Sequence, residues 1–141
     1  MASELRVNTL KDASGNNSVG MSYVARGSAK AWLNLDGSAT FDASDTEIND
    51  SFNIGSTVDG GFGDYDITFT ANIALHYSVS GTTLGENTNG NRGANGIMLD
   101  NGTAPTSSGF TLQSARGATA SSDGALQDSA QVMATVHGDL A

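Results

Sequence analysis

Cysteine is absent from this 141-residue chain, proline occurs once, and charged residues make up only 15% of it. The absence of cysteine excludes disulfide bonds and thiolate metal sites. The net charge of −9 argues against binding to the polyanionic backbone of nucleic acids. No apolar run reaches about eighteen residues, so the sequence predicts no membrane insertion. The start, Met-Ala-Ser-Glu-Leu-Arg, lacks the apolar region of a signal peptide, which predicts synthesis in the cytoplasm.

Glycine, serine, threonine and asparagine together supply 61 of the 141 residues. Glycine loses backbone entropy in a helix, and serine and asparagine compete for the backbone hydrogen bonds that a helix needs. The composition therefore favours short strands joined by tight turns, within one domain of ordinary size. Disorder is the alternative, because only 38% of the residues are hydrophobic. The apolar residues fall in regular clusters that include aromatics, which favours an ordered domain.

Alternating apolar and polar residues mark the strands. In 65–71, for example, Tyr65, Ile67 and Phe69 share one face and polar residues occupy the other, as in a half-buried strand. The glycine-rich stretch 59–64 before it predicts a hairpin turn. Residues 1–28 predict an extended N-terminal arm, and residues 29–141 predict an all-β domain, a single jelly-roll-like β-sandwich of about eight strands. The predicted strands cover 5–10, 29–35, 51–58, 65–71, 73–80, 97–99, 109–115 and 130–137, with 19–28 also extended.

Charge is distributed unevenly along the chain. Residues 1–30 carry a balance of +2, through Arg6, Lys11, Arg26 and Lys30, whereas the remainder carries −11. A basic leading segment favours docking on an acidic surface, including that of a second copy of this chain. Chance placement of the six cations is the alternative.

Carboxylates are concentrated around the predicted hairpin. Asp59, Asp64 and Asp66 lie near three glycines, a setting in which oxygen ligands can hold calcium. The spacing does not match the EF-hand loop, and no glutamate closes it. The alternative, that these aspartates cap turns, is favoured, and the sequence predicts no metal site.

Catalytic signatures are missing from the sequence. His76 and His137 form no H-x-x-x-H or H-x-H pair, the G-x-S-x-G motif does not occur, and residues 90–93 do not form a phosphate-binding loop. Aspartates for a paired-carboxylate glycosidase are plentiful, but nothing singles out a pair. The sequence therefore predicts neither an enzyme nor a cofactor.

Two loops and one tryptophan supply the candidate binding residues. The loops 59–64 and 85–96 are expected to face outward, where they would meet a host glycan or an envelope protein. Trp32 shares a strand face with Lys30 and Asn34, which allows stacking on a sugar, although packing in the core or at a subunit contact is favoured. The candidate binding residues are Trp32, Asp59, Phe62, Asp64, Asn89 and Arg92, and the candidate attachment or oligomer residues are Leu5, Val7 and Leu10.

Three segments in this order resemble one family. They are residues 5–10 (Leu-Arg-Val-Asn-Thr-Leu), 29–34 (Ala-Lys-Ala-Trp-Leu-Asn) and 50–56 (Asp-Ser-Phe-Asn-Ile-Gly-Ser), followed by 63–69 (Gly-Asp-Tyr-Asp-Ile-Thr-Phe). This pattern is similar to that of the short tail-fibre-like virion structural proteins of marine bacteriophages. The resemblance covers about half of the chain. The chain departs from the pattern at residues 47–49, where a basic residue is expected after the apolar one.

The resemblance implies a virion structural protein, made in the host cytoplasm, with no catalytic residues to carry over. It implies a small tail fibre, tip or knob that is attached through its arm and contacts the host surface. The alternatives are a capsid decoration or head-fibre protein, a free carbohydrate-binding module and, as a third class, a small hydrolase. The expected partners are other virion proteins and copies of this chain. A trimer is favoured, because a small domain without cysteine gains stability by association.

Overall fold

The computed structural model describes residues 6–41, 46–84, 95–116 and 125–141, and most of these form two antiparallel sheets packed face to face. The prediction of an all-β sandwich is confirmed. Apart from the two-residue strand β10, the two sheets hold eight strands in the described ranges, in agreement with the predicted number.

The first sheet has the strand order β4-β3-β11-β7. Its strands are β3 (Ala29–Leu35), β4 (Ile48–Phe52), β7 (Ser78–Leu84) and β11 (Gln131–His137). The alternation predicted for β3 and β11 is confirmed, because every second residue is buried and the residues between them are more exposed. The buried residues of these two strands include Ala31, Leu33, Leu35, Val132, Ala134 and Val136.

The second sheet is built around β9, which pairs with β6, β8 and β10, while β5 pairs with β6. Its strands are β5 (Ile54–Gly61), β6 (Asp64–Phe69), β8 (Asn95–Leu99), β9 (Gly109–Arg116) and β10 (Ala125–Leu126). At one edge of the sandwich β4 runs on into β5, and at the other edge β7 lies against β8. The two sheets are therefore joined along both edges.

The core lies between the sheets and contains two groups of packed aromatic rings. Phe69, Tyr77 and Phe110 form one cluster with ring centroids 5.5 to 6.2 Å apart, and Phe41 stacks on Tyr65 at 5.7 Å. Such pairs stabilise a core beyond the apolar area that they bury. Tyr65, Ile67 and Phe69 all face this core, as their alternation predicts.

The segment before the sandwich has a structure of its own. A short hairpin, β1 (Thr9–Lys11) with β2 (Ser18–Gly20), leads into the seven-residue helix α1 (Met21–Gly27). The prediction that 19–28 is extended is wrong from residue 21 onward. The segment contains methionine, alanine and arginine, which are good helix formers. Its backbone pairs with none of the strands of the described sheets, so no strand competes with the helix.

A corner at Asn53 separates β4 from β5, so the prediction of one continuous strand over 51–58 is wrong. Asn53 has a φ of +57°, which turns the chain from the first sheet into the second. Asparagine takes this left-handed conformation more readily than most residues. The strand predicted over 73–80 also begins late, at Ser78, after His76 with a φ of +78°.

The strand directions define two ends of the sandwich. At the arm end lie α1, the start of β3, the Asn53 corner and residues 138–140. At the hairpin end lie Gly37, the β5–β6 turn and Ser129, and the Tyr65 hydroxyl donates to the Gly37 carbonyl at 3.3 Å.

Candidate functional site

The β5–β6 hairpin ends in a protruding aromatic ring. Phe62 is 75% exposed at the tip, between Gly61 and Gly63, whose φ angles are +128° and +63°. The turn is held by Asp59, whose Oδ1 accepts from the Gly61 N–H at 2.8 Å, as expected of an aspartate that caps a turn. We call Phe62 with its two flanking glycines the knob.

The three aspartates considered for calcium do not converge on one point. Asp59 is occupied by the Gly61 N–H, and Asp66 accepts from the Thr111 hydroxyl at 2.6 Å on the outer face of the second sheet. Asp64 keeps one buried carboxylate oxygen without a hydrogen-bond partner. Within the described residues, no group of three or more His, Asp or Glu side chains is close enough together to hold a metal ion.

The hairpin end of the sandwich is acidic. The pKa of the Tyr65 hydroxyl is raised to about 12, chiefly by burial. The negative charges of Asp128, Asp59 and Asp36 contribute to this raised value, because a tyrosinate would face them. Asp128 also accepts from the Gly63 N–H at 2.6 Å, which places its carboxylate directly behind the knob.

The raised pKa of Tyr65 predicts a loss of stability in alkali. An unfolded tyrosine has a pKa of about 10, so folding keeps this hydroxyl neutral where the unfolded chain would ionise it. The stabilisation is complete below pH of about 10 and is lost as the pH rises towards 12, by about 2 kcal/mol for Tyr65. Burial also raises the pKa of Tyr77 to about 12, and this partly buried residue adds a smaller loss. Urea unfolding at a series of alkaline pH values measures the sum.

The variant Tyr65→Phe should lose much less stability than the wild type over the same alkaline range. Tyr23→Phe is the matched control, because the Tyr23 ring is 76% exposed on α1. We expect this control to retain the wild-type pH profile. A profile for Tyr65→Phe that is as steep as that of the wild type would contradict the assignment to Tyr65.

Trp32 lies on the outer face of the first sheet and is partly exposed. Its cross-strand neighbour on β4 is Phe52, which is 54% exposed, and on β11 it is Thr135. Asn34 and Asp50 form the next pair along the same two strands, and the Asn49 amide lies 3.5 Å from the Asn34 side chain. This face therefore combines two aromatic rings with polar side chains.

A groove of about 760 Å³ opens at the arm end. Its walls come from α1, the start of β3, the Asn53 corner, the two residues that follow β6, and residues 139–140. Most of the surface of these walls is contributed by apolar atoms, with Phe52 and Leu140 at the rim, both more than half exposed. The lining residues are Ala25, Ser28, Ala29, Lys30, Phe52, Asn53, Thr70, Ala71, Asp139 and Leu140. We call this feature the groove.

The main polar groups of the groove are already used within the protein. Lys30 is buried, and its ammonium donates to the carbonyls of Ala25 and Ser28 and to the Ser28 hydroxyl, which accounts for its three donors. The Asn53 amide nitrogen donates to the carbonyls of Lys30 and Ala71, both at 3.0 Å. A polar ligand would find few free partners here, whereas an apolar side chain would find a matching surface.

The N-terminal segment is nearly all exposed, although it touches the sandwich at α1. Val7 is partly buried, but Leu10, Val19 and Tyr23 are exposed. Arg26 on α1 lies 3.8 Å from the Asp139 carboxylate, and both side chains are largely exposed, so this pair contributes little stability. Three predicted site residues, Leu5, Asn89 and Arg92, lie outside the described residues.

One buried acid was not expected from the sequence. Glu47 is 0% exposed, its Oε1 accepts from the Thr57 hydroxyl at 2.6 Å, and its Oε2 has no hydrogen-bond partner. The histidines lie elsewhere, at the arm end, where His76 is exposed and His137 ends β11. Across the described part of the chain, the acid and the histidines are not assembled into one site.

Comparison of the chain with protein-family models, with curated proteins and with solved structures finds no match. The described residues contain no helix that is long and apolar enough to cross a membrane.

Proposed function

We propose that this protein is a structural component of a bacteriophage virion. It would be a small tail fibre, a fibre tip or a knob-type component of the tail, attached through its N-terminal segment. The observation that carries the proposal is the exposure of Leu10, Val19 and Tyr23 on a segment that lies outside the sandwich. Apolar side chains grouped in this way are what a neighbouring subunit buries on assembly. The order of sequence segments that resembles short tail-fibre-like proteins supports the same role.

The arrangement of polar groups favours binding over catalysis. The groove has an apolar lining with its main polar groups engaged, and at the hairpin end the carboxylates of Asp59 and Asp128 accept hydrogen bonds from backbone N–H groups. Neither site presents a nucleophile beside a base, which covalent catalysis requires. The proposed partners are therefore other virion proteins, further copies of this chain, and a host glycan or envelope protein met by the 59–64 turn. The predicted loop 85–96 is a second candidate contact, but its residues 85–94 lie outside the described residues.

Immunogold electron microscopy of intact phage particles, with antibody raised against the purified chain, tests the proposal. Gold at the distal tail is the expected result. Gold over the head would instead favour the capsid decoration or head-fibre protein, and the absence of gold from the particles would overturn the virion role. A triple variant, Leu10→Ser with Val19→Ser and Tyr23→Ser, should reduce incorporation into particles. Val58→Ser, which removes an exposed apolar side chain from β5, is the matched control.

A free carbohydrate-binding module is the second candidate, and the Trp32 face favours it. The neighbouring rings of Trp32 and Phe52, with Asn34, Asn49 and Asp50 beside them, offer both stacking surface and hydrogen-bonding groups to a sugar. This function predicts glycan binding by the isolated protein that Trp32→Ala abolishes. Binding that survives Trp32→Ala would rule out this face as the sugar site.

A further inference from the structure

We propose that the knob of one copy of this chain inserts into the groove of a second copy, which links the subunits head to tail. This inference deepens the proposed assembly role by naming the two surfaces and the partner. It is tested on the purified chain, so its failure can be distinguished from failure of the virion role.

The two surfaces are complementary in shape and in polarity. The Phe62 ring is an exposed apolar projection, and its flanking glycines leave it free of neighbouring side chains. The groove is an apolar depression of about 760 Å³, large enough to take a ring, and its walls have few free hydrogen-bonding groups. Buried aromatic anchors of this kind carry much of the affinity of protein interfaces.

The knob cannot reach the groove of its own molecule. Asn53, in the wall of the groove, precedes the first residue of β5, and the knob follows the last residues of the same strand. The eight residues of β5 span about 25 Å, so the two surfaces lie at opposite ends of the sandwich. A knob that fills the groove must therefore come from another chain.

Charge favours a second copy as that chain. In the described residues, the hairpin end carries four partly or fully exposed acids against one cation, Arg116. The arm end carries Arg26 and Lys30 against Asp139, and the described residues that lead into α1 carry Arg6 and Lys11 against Asp12. The acids of the hairpin end are Asp36, Asp59, Asp64 and Asp128. Opposite charges at the two ends attract when copies approach head to tail and repel when like ends meet.

Head-to-tail contacts have a definite consequence for symmetry. Each copy inserts its knob into one neighbour and receives the knob of another neighbour in its groove. The interface is therefore heterologous and generates either a closed ring or an open chain. A closed ring of three copies would agree with the trimer favoured from the sequence.

Sedimentation velocity on four purified proteins tests the contact. The wild type is expected to self-associate, whereas Phe62→Ser and Ala71→Glu should each weaken association by at least about 30-fold. Ala71→Glu places a carboxylate in the groove, and Leu140→Asp is a second groove variant if the first fails to fold. Val58→Ser, which removes an exposed apolar side chain from the same hairpin, should associate like the wild type.

Mixing the two variants gives the decisive observation. Phe62→Ser retains its groove and Ala71→Glu retains its knob, so an equimolar mixture should form a heterodimer that grows no further. An isologous interface would not be restored in this way. A wild type that stays monomeric at about 100 µM, a Phe62→Ser variant that associates normally, or a mixture that remains monomeric would each overturn the proposal.

Discussion

Gly63→Ala is expected to lower the free energy of unfolding by about 4 kcal/mol. Gly63 is buried and has a φ of +63°, a conformation that costs an alanine about 1–2 kcal/mol. A Cβ at this position would lie 2.5 and 2.8 Å from the backbone N and O of Gln127, and closer still to the Ser114 carbonyl oxygen. These atoms belong to the backbone, so no side chain can rotate away to make room. Urea unfolding measures the change.

Two other glycines separate the contributions of strain and space. Gly61→Ala, in the same hairpin, has a φ of +128° but open space around the added Cβ, so it should show the backbone cost alone. Gly27→Ala, at the end of α1, has neither a positive φ nor a nearby atom, and it should change stability by less than about 0.5 kcal/mol. A Gly63→Ala variant no less stable than Gly61→Ala would show that β9 and β10 yield to the added methyl group.

Parts of this fold could be predicted because the sequence there obeys a local rule. The strands β3, β6 and β11 alternate apolar and polar residues with period two, and burial follows the same period in the structure. The β5–β6 hairpin could be predicted because its glycines permit the positive φ angles that the turn adopts. In each case the information lies within a few neighbouring residues.

The groove could not be predicted, because its walls are distant in sequence. Residues 25–30, 52–53, 70–71 and 139–140 meet only when the two sheets pack. Lys30 illustrates the difficulty. Alternation places it on the outer face with Trp32, which indicates a solvated cation, yet α1 folds over it and offers backbone carbonyls to its ammonium. The helix α1 has no buried residue, so its sequence has no amphipathic pattern from which a helix could be predicted.

The exposure of the knob could be predicted from the sequence, whereas the burial of Glu47 could not. The sequence predicts that residues 59–64 form an outward loop, and Phe62 at its tip is exposed. A glutamate is rarely buried, whereas the structure buries Glu47 against Thr57. Thr57 lies ten residues away on β5, after the Asn53 corner, so only the closing of the sandwich brings the two side chains together.

Asn53→Ala is expected to lower the free energy of unfolding by about 3 kcal/mol. The Asn53 side chain joins three strand ends at the corner between the sheets. It donates to the Lys30 and Ala71 carbonyls and accepts from the Ala71 N–H at 2.7 Å. Alanine would lose these three hydrogen bonds, each worth about 0.5–1.5 kcal/mol, and would also adopt the φ of +57° at a cost. Urea unfolding again measures the sum.

Asn53→Gly separates the loss of the hydrogen bonds from the backbone strain, because glycine adopts the left-handed conformation without strain but lacks the amide. We expect its stability to lie between those of the wild type and Asn53→Ala, with the larger share of the loss already present in the glycine variant. Asn53 also forms part of the wall of the groove, so both variants should weaken the self-association measured by sedimentation as well. If Asn53→Ala unfolds within about 0.5 kcal/mol of the wild type, the bridge does not hold the corner, and β4 and β5 are positioned by sheet packing alone.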